Sequence, residues 1–299
     1  MENLFRFDAQ NHHLMKKSLF YSSIFISILF IFSCVPPDPA MVYGWNTPTP
    51  PGPGGNITGP RILHKIDSSN TVQREYFSSN AGVLEKVKYY NSNVQVDVLY
   101  NSNNKVSKLI RTKNQLVTVL TLNYDSAGKI SGAVGIQTLN NIFSTETHYT
   151  LVYNSAGKVT KVNRKMKFSD LSTVFTHYGV NEITWVGDNV TKVNENGSVI
   201  HSDGSYEPLD PMGWMVFRFE NHDNKINPFT TLSKEFNIGM GILAFPDFGN
   251  LSYNNPTKLL VETAFQPPFV ENLSLLYDPQ NYLISDSQGI YKFHYKPVQ

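Results

Sequence analysis

Two nine-residue stretches decide how this chain folds: Leu122-Asn123-Tyr124-Asp125-Ser126-Ala127-Gly128-Lys129-Ile130 and Leu151-Val152-Tyr153-Asn154-Ser155-Ala156-Gly157-Lys158-Val159. In each, an aromatic closes an alternating apolar run, Asp or Asn opens a Ser-Ala-Gly segment, and a β-branched residue stands two places past the glycine. That order specifies a β-hairpin: strand, turn, strand. Gly128 and Gly157 fall where the turn asks for positive φ, which costs a residue bearing a Cβ on the order of 1 kcal/mol.

Weaker copies lie on both sides. One begins at Tyr76, with its glycine at Gly82, one at Tyr100 and one at Trp185, and further relics surround Phe219, Tyr253 and Tyr277. The aromatic-to-aromatic steps of 24, 24, 29, 32, 34, 34 and 24 residues each hold one supersecondary unit. Between the turns, stretches such as Val94 to Val98 and Leu116 to Tyr124 alternate with the two-residue period of a strand. Residues 61–299 therefore read as one all-β domain, an antiparallel meander of about 12 to 16 strands in a large twisted sheet, open barrel-like or sandwich-like. No sustained helical period interrupts it, and only one short turn is expected between Pro228 and Phe236.

The first 60 residues have a different character. Met15, Lys16 and Lys17 precede a nearly continuous apolar run from Leu19 to Phe32, and Ser33-Cys34 follows at once. A charged start, an h-region of about 14 residues and a small residue before the junction make residues 1–33 a signal peptide, with Met15 as its natural start. The run is shorter than the ~20 residues of a spanning helix. Ile31-Phe32-Ser33-Cys34 resembles a bacterial lipobox, which implies acylation of Cys34. Phe32 stands where a small residue is usual, and a retained single span is the alternative. Eight prolines and five glycines crowd residues 35–60. That segment is a tether, up to ~80 Å long at ~3.1 Å per residue in polyproline II geometry.

The repeat resembles the YD-type hairpin repeats of secreted bacterial proteins in its tyrosine, its Asn or Asp and its Gly-Lys turn. Together with the leader cysteine, the Trp185 to Lys192 segment, Asn227-Pro228-Phe229 and the closing Tyr291 to Tyr295 strand, it is similar to an uncharacterised family of Bacteroidota lipoproteins with meandering β-domains. The resemblance implies no catalytic residue. It also places the chain in a cell envelope, lipid-anchored at an outer membrane and facing either the periplasm or the cell surface.

Composition narrows the rest. The chain carries 25 basic and 24 acidic residues, and loss of the leader removes three and two of them, so the mature part is formally neutral. Nucleic acid as a partner is set aside, since it calls for a basic excess or stripe. A single cysteine excludes disulfides and cysteine-rich metal sites, the mature histidines lack zinc spacing, and no cofactor is expected. Glu207, Asp210, Glu220 and Asp223 are the carboxylates from which a glycosidase pair would have to come. Trp185, Tyr206 and Trp214 are candidate sugar-stacking aromatics, although aromatics at strand ends more often serve a core. Ser126 is a candidate O-glycosylation acceptor, equally explained by turn chemistry. The expected function is a non-catalytic β-platform that binds a glycan, a polymer or another envelope protein. The alternatives are a polymer-degrading enzyme and an outer-membrane β-barrel, the latter opposed by polar segments such as Asn91 to Asp97.

Overall fold

The computed structural model describes residues 60–168, 173–209, 214–264 and 266–299. The expected signal peptide, Cys34, residues 35–59 of the expected tether and Asp210 lie outside them. The described chain forms β1 (Arg61–Ser68), β2 (Thr71–Ser78), β3 (Leu84–Tyr89), β4 (Val94–Tyr100), β5 (Val106–Lys113), β6 (Leu116–Tyr124), β7 (Ile130–Leu139), β8 (Ile142–Tyr153) and β9 (Val159–Lys167). It continues through β10 (His177–Val186), β11 (Asn189–Val199) and β12 (Met215–His222), then a helical insertion, then β13 (Pro256–Thr263), β14 (Gln266–Asn272), β15 (Leu275–Tyr277), β16 (Leu283–Asp286) and β17 (Tyr291–Pro297).

Every strand pairing is antiparallel and almost every one joins chain neighbours, from β1 through to β14; β17 pairs back onto β1, and β15 and β16 continue that flank. The 17 strands make one sheet. Laid flat it would be about 80 Å wide at ~4.8 Å per strand. Its two outermost strands, β14 and β15, are not hydrogen-bonded to each other, so the sheet is not closed, but only Leu273 and Ser274 separate them in the chain. Two residues span roughly 7 Å, so the sheet curls until its edges nearly meet.

The five-residue turns explain the repeat. In the turns 79–83, 101–105, 125–129, 154–158 and 278–282, the first N–H donates to the fifth carbonyl and the fourth N–H to the first carbonyl. The side chain of the first residue accepts from the fifth N–H in each: Ser79, Asn101, Asp125, Asn154 and Asp278. The fourth residue is left-handed throughout, at Gly82 (φ +75), Asn104 (+56), Gly128 (+73), Gly157 (+73) and Asn281 (+66). Only glycine and asparagine tolerate that region cheaply, so asparagine replaces glycine in two copies. The unit at Trp185 departs from this pattern, with only Gly187 and Asp188 between β10 and β11.

A bulge follows each turn. Tyr124 pairs with Ile130 but Asn123 with Gly132, and Tyr153 with Val159 but Val152 with Lys161, so Ser131 and Thr160 are left over. Ser107, Ser131, Thr160 and Thr191 occupy this position, and each hydroxyl donates to a carbonyl of the partner strand. The extra residue shifts the inward parity by one. It therefore lets the strand opener and the residue three places on both reach the core, as Val106 with Leu109, Ile130 with Ala133 and Val159 with Val162 do.

The strand-ending aromatics then tie one hairpin to the previous one. Tyr100, Tyr124 and Tyr153 donate their hydroxyls to the carbonyls of Leu84, Val106 and Ile130 at 2.6, 2.5 and 2.8 Å, and the indole N–H of Trp185 donates to Val159 at 2.7 Å. Burial pushes the three phenols up to about 12, which keeps them protonated as donors. In three of the turns the last residue is a lysine that lies over the next aromatic: Lys105 over Tyr124, Lys129 over Tyr153 and Lys158 over Trp185, at 5.3, 5.7 and 5.3 Å.

The insertion between β12 and β13 corrects the expectation of one short helical turn and no sustained helix. It contains a 3-10 turn (Pro228–Thr231), an α-helix, α1 (Lys234–Leu243), and a second 3-10 turn (Phe245–Leu251). Asn227 and Ser233 cap the first two elements, with side chains accepting from the N–H groups of Phe229 and Phe236. Phe236 to Ile242 of α1 are all buried. A helix buried on every side shows no amphipathic period, which is why the sequence conceals it. It fills the concave side of the sheet as a plug. A Cβ on Gly239 would sit 2.5 Å from Leu109 of β5, and one on Gly249 would sit 2.6 Å from the ring of Phe219 of β12.

A candidate surface on the outer face of β8 to β11

The face of a strand that does not meet the plug can be read from parity. On β8, Thr147 and Leu151 are buried, so Glu146 and His148 point outward. Register then carries one outward row across the sheet, from His148 through Lys165 of β9 and Tyr178 of β10 to Ser198 of β11. His148 and Lys165 are exposed. The ring of Phe175 meets His148 edge-on at 4.9 Å.

Tyr206 is brought to the same row by the chain after β11. The turn from His201 to Ser205 reverses direction, Tyr206 bridges to Ile200, and the N–H of Glu207 donates to the carbonyl of Val199. The Tyr206 ring stands edge-on to Tyr178 at 4.8 Å and 82°, Lys165 lies 5.2 Å from its centroid, and the Tyr178 hydroxyl donates to the Glu207 carbonyl. Tyr206 remains 48% exposed and Phe168, edge-on to His177, 54% exposed. Glu146 bonds His148 at 2.6 Å and pairs with Lys167 at 3.2 Å. Those contacts, the His148 bond first, hold its carboxyl below the usual range, so the row carries a fixed anion beside its rings.

The other aromatics named from the sequence are placed differently. Trp185 is half-buried, with its indole N–H bonded to Val159 and its face under Lys158, so it serves the hairpin ladder. Trp214 is half-buried immediately before β12. Ser126 is exposed in its turn. The linear order of residues does not single out Tyr178, Phe175 and His148, which gain meaning only when strands far apart in the chain are set in register.

Of the described carboxylates, Glu207 stands far from Glu220. Glu220 pairs with Lys258 at 2.9 Å, and His201 lies 3.5 Å from Glu207. Glu207 is held at the level of Val199, and β11 pairs Val193 with Phe217 of β12, so Glu220 lies nine residues farther along the sheet, about 30 Å away. Asp223 is half-buried against Asn255 and the Tyr277 hydroxyl, and desolvation pushes it up to about 6. Burial pushes neighbouring His222 down to about 4. Among the described residues, no three of His, Cys, Asp and Glu converge as metal ligands.

No protein-family model matches the chain and no curated protein does. Among solved structures, a porin-like protein from Bacteroides vulgatus is 8% identical with a TM-score of 0.41, covering 79% of this chain and 99% of its own. A porin-like protein from Bacteroides uniformis is 10% identical with a TM-score of 0.36, covering 79% of this chain and 94% of its own. Both are all-β meanders. At such scores the likeness carries nothing about activity.

Proposed function

We propose that this protein is a lipid-anchored component of a bacterial cell envelope whose β-domain is a non-catalytic platform for a glycan. The observation that carries the reading is the outward row His148, Lys165, Tyr178 with Tyr206 and Phe175 set on it: aromatic edges and faces alternate with charged groups, as sugar rings require. The described strands supply a rigid base, and the Pro-rich segment after Cys34 supplies reach from a membrane.

The strand number is that of a channel-forming barrel. The outer face weighs against burial in lipid. Lys86 and Asp97, Lys161 and Glu182, and Arg218 and Glu262 are ion pairs on that face at 3.5, 3.1 and 2.6 Å. A cation at a bilayer midplane costs about 2 to 4 kcal/mol. Around Ile110, Val119 and Ile136, cross-strand neighbours on β5 to β7, the outer face turns apolar.

Binding of the full chain to purified envelope polysaccharide, with Tyr206→Ala alongside, tests the platform. Affinity should fall about tenfold, equivalent to ~1.4 kcal/mol, and equal binding by both chains would remove the row from the account. Metabolic labelling with a fatty-acid analogue tests the anchor. Label should appear on the wild type and vanish in Cys34→Ala; label retained by the variant would place the lipid elsewhere.

A further inference from the structure

The concave side of the sheet is not uniform. Toward the five-residue turns its inward positions are apolar: Leu109, Leu120, Leu122, Ala133, Leu151 and Val162 are all buried, and the plug packs on Leu109 and Leu122. Toward the opposite end the same strands change character. Two residues beyond Leu109, and so on the same face, stands Arg111, and register continues that row through Thr118 of β6 and Gln137 of β7 to Thr145 of β8. All four are half-buried. A polar row facing inward, with solvent access retained, lines a concavity and not a packed core.

Charge in this region is unbalanced. The inward positions of β2 to β11 carry Arg74, Arg111, Lys113 and Arg164 against Glu195, and the plug adds Asp247. Arg164 is matched by Glu195 and Asn181. A Cβ on Gly179 would lie 2.6 Å from Arg164, so that glycine lets the guanidinium lie flat across β10. Arg74 is buried, donates to the Tyr76 hydroxyl and stacks on Tyr89 at 4.4 Å.

Arg111 is different. Among the described residues no hydrogen bond and no ion pair holds its guanidinium, though protein on most sides pulls its pKa down by desolvation, partly offset by Tyr89 and Asp247. Asp247, buried in the plug, is pulled down by both Arg74 and Arg111, but desolvation dominates and pushes it up to about 6. A five-donor planar cation facing a concavity without a partner is suited to a bidentate oxyanion.

We propose that the polar half of the concavity is an oxyanion site centred on Arg111, taking a small solute or glycan end that bears a carboxylate, sulfate or phosphate. The guanidinium supplies the paired donors. Lys113, on the same inward face of β5, adds charge, and Thr118 and Gln137 stand in register with Arg111 to bond neighbouring hydroxyls. This site is separate from the outer aromatic row and does not depend on glycan binding there.

Calorimetric titration of the purified full chain with inorganic phosphate, sulfate, D-glucuronate and D-glucose, at constant ionic strength set with chloride, tests it. Saturable binding of at least one oxyanion is expected, with none for glucose. Arg111→Gln should weaken it at least tenfold, and Arg111→Lys, which keeps the charge and loses the fork, should fall between; the lysine variant decides if the glutamine variant fails to fold. Tighter binding of glucuronate than of phosphate would assign the group to a sugar, and the reverse order to a free ion. Absence of saturable binding by the wild type, or equal affinity in a folded Arg111 variant, would overturn the site.

Discussion

The hairpins from Tyr76 to Trp185 and the plug from Ile226 to Asn255 belong to one core yet are specified in opposite ways. In the hairpins each residue type has a local task that recurs every 24 to 32 residues: the turn opener accepts its own turn's N–H, the glycine or asparagine takes positive φ, and the Ser or Thr fills the bulge. The plug has no repeat and few local tasks beyond its caps. Its glycines are defined by what they approach: Gly239 by Leu109, Gly241 by Phe248 and Gly249 by Phe219. A repeated local device stabilises a quasi-one-dimensional array, whereas the plug is stabilised by fit alone.

The largest effect should therefore come from the plug. A Cβ at Gly241 would lie 2.4 to 2.7 Å from the ring of Phe248, which is fully buried and has nowhere to move. Gly241→Val should cost about 3 kcal/mol through overpacking, read as a lower urea midpoint. An unchanged midpoint would mean that the plug is a loose occupant of the concavity, and the contrast with the hairpins would collapse.

A turn glycine should cost less, because only its own backbone is at stake. Gly157 has φ +73, and a Cβ there meets nothing closer than the end of Lys129 at 3.7 Å. Gly157→Val should lower stability by about 2 kcal/mol from left-handed strain in a β-branched residue, while Gly157→Asn should be nearly neutral, as Asn104 and Asn281 occupy the same place. A valine variant that unfolds at the wild-type denaturant concentration would show that the turn relaxes into another form.

These two cases also explain what could be read in advance. The all-β meander and the left-handed glycines are written in contiguous residues, so a single sequence displays them. The helix α1 is hidden because burial on all sides removes its period, although Ser233 as its cap and Glu235 in its first turn were visible. The bulges were hidden too, and with them the parity shift that decides which side chains face outward. Tyr206 was legible as an aromatic, but its company of Tyr178, Lys165, His148 and Phe175 depends on register among four strands. Arg111 gave no signal at all, since its isolation is a property of what surrounds it.

The smallest effect, and the one that most sharpens the comparison, lies in the aromatic ladder. Tyr153→Phe removes only the hydroxyl that donates to the Ile130 carbonyl at 2.8 Å, and leaves the ring under Lys129 in place. The loss should be about 1 kcal/mol, the net value of one partly buried hydrogen bond, with the orphaned carbonyl as its main cause. Tyr124→Phe removes the equivalent bond to Val106 one hairpin away and should cost the same. The two hydroxyls have different acceptors, so in an array that stabilises itself unit by unit the double variant should lose about 2 kcal/mol, the simple sum. A double variant that loses markedly more would show that neighbouring rungs reinforce one another through the sheet between them, and the hairpins would then resemble the plug in depending on collective fit.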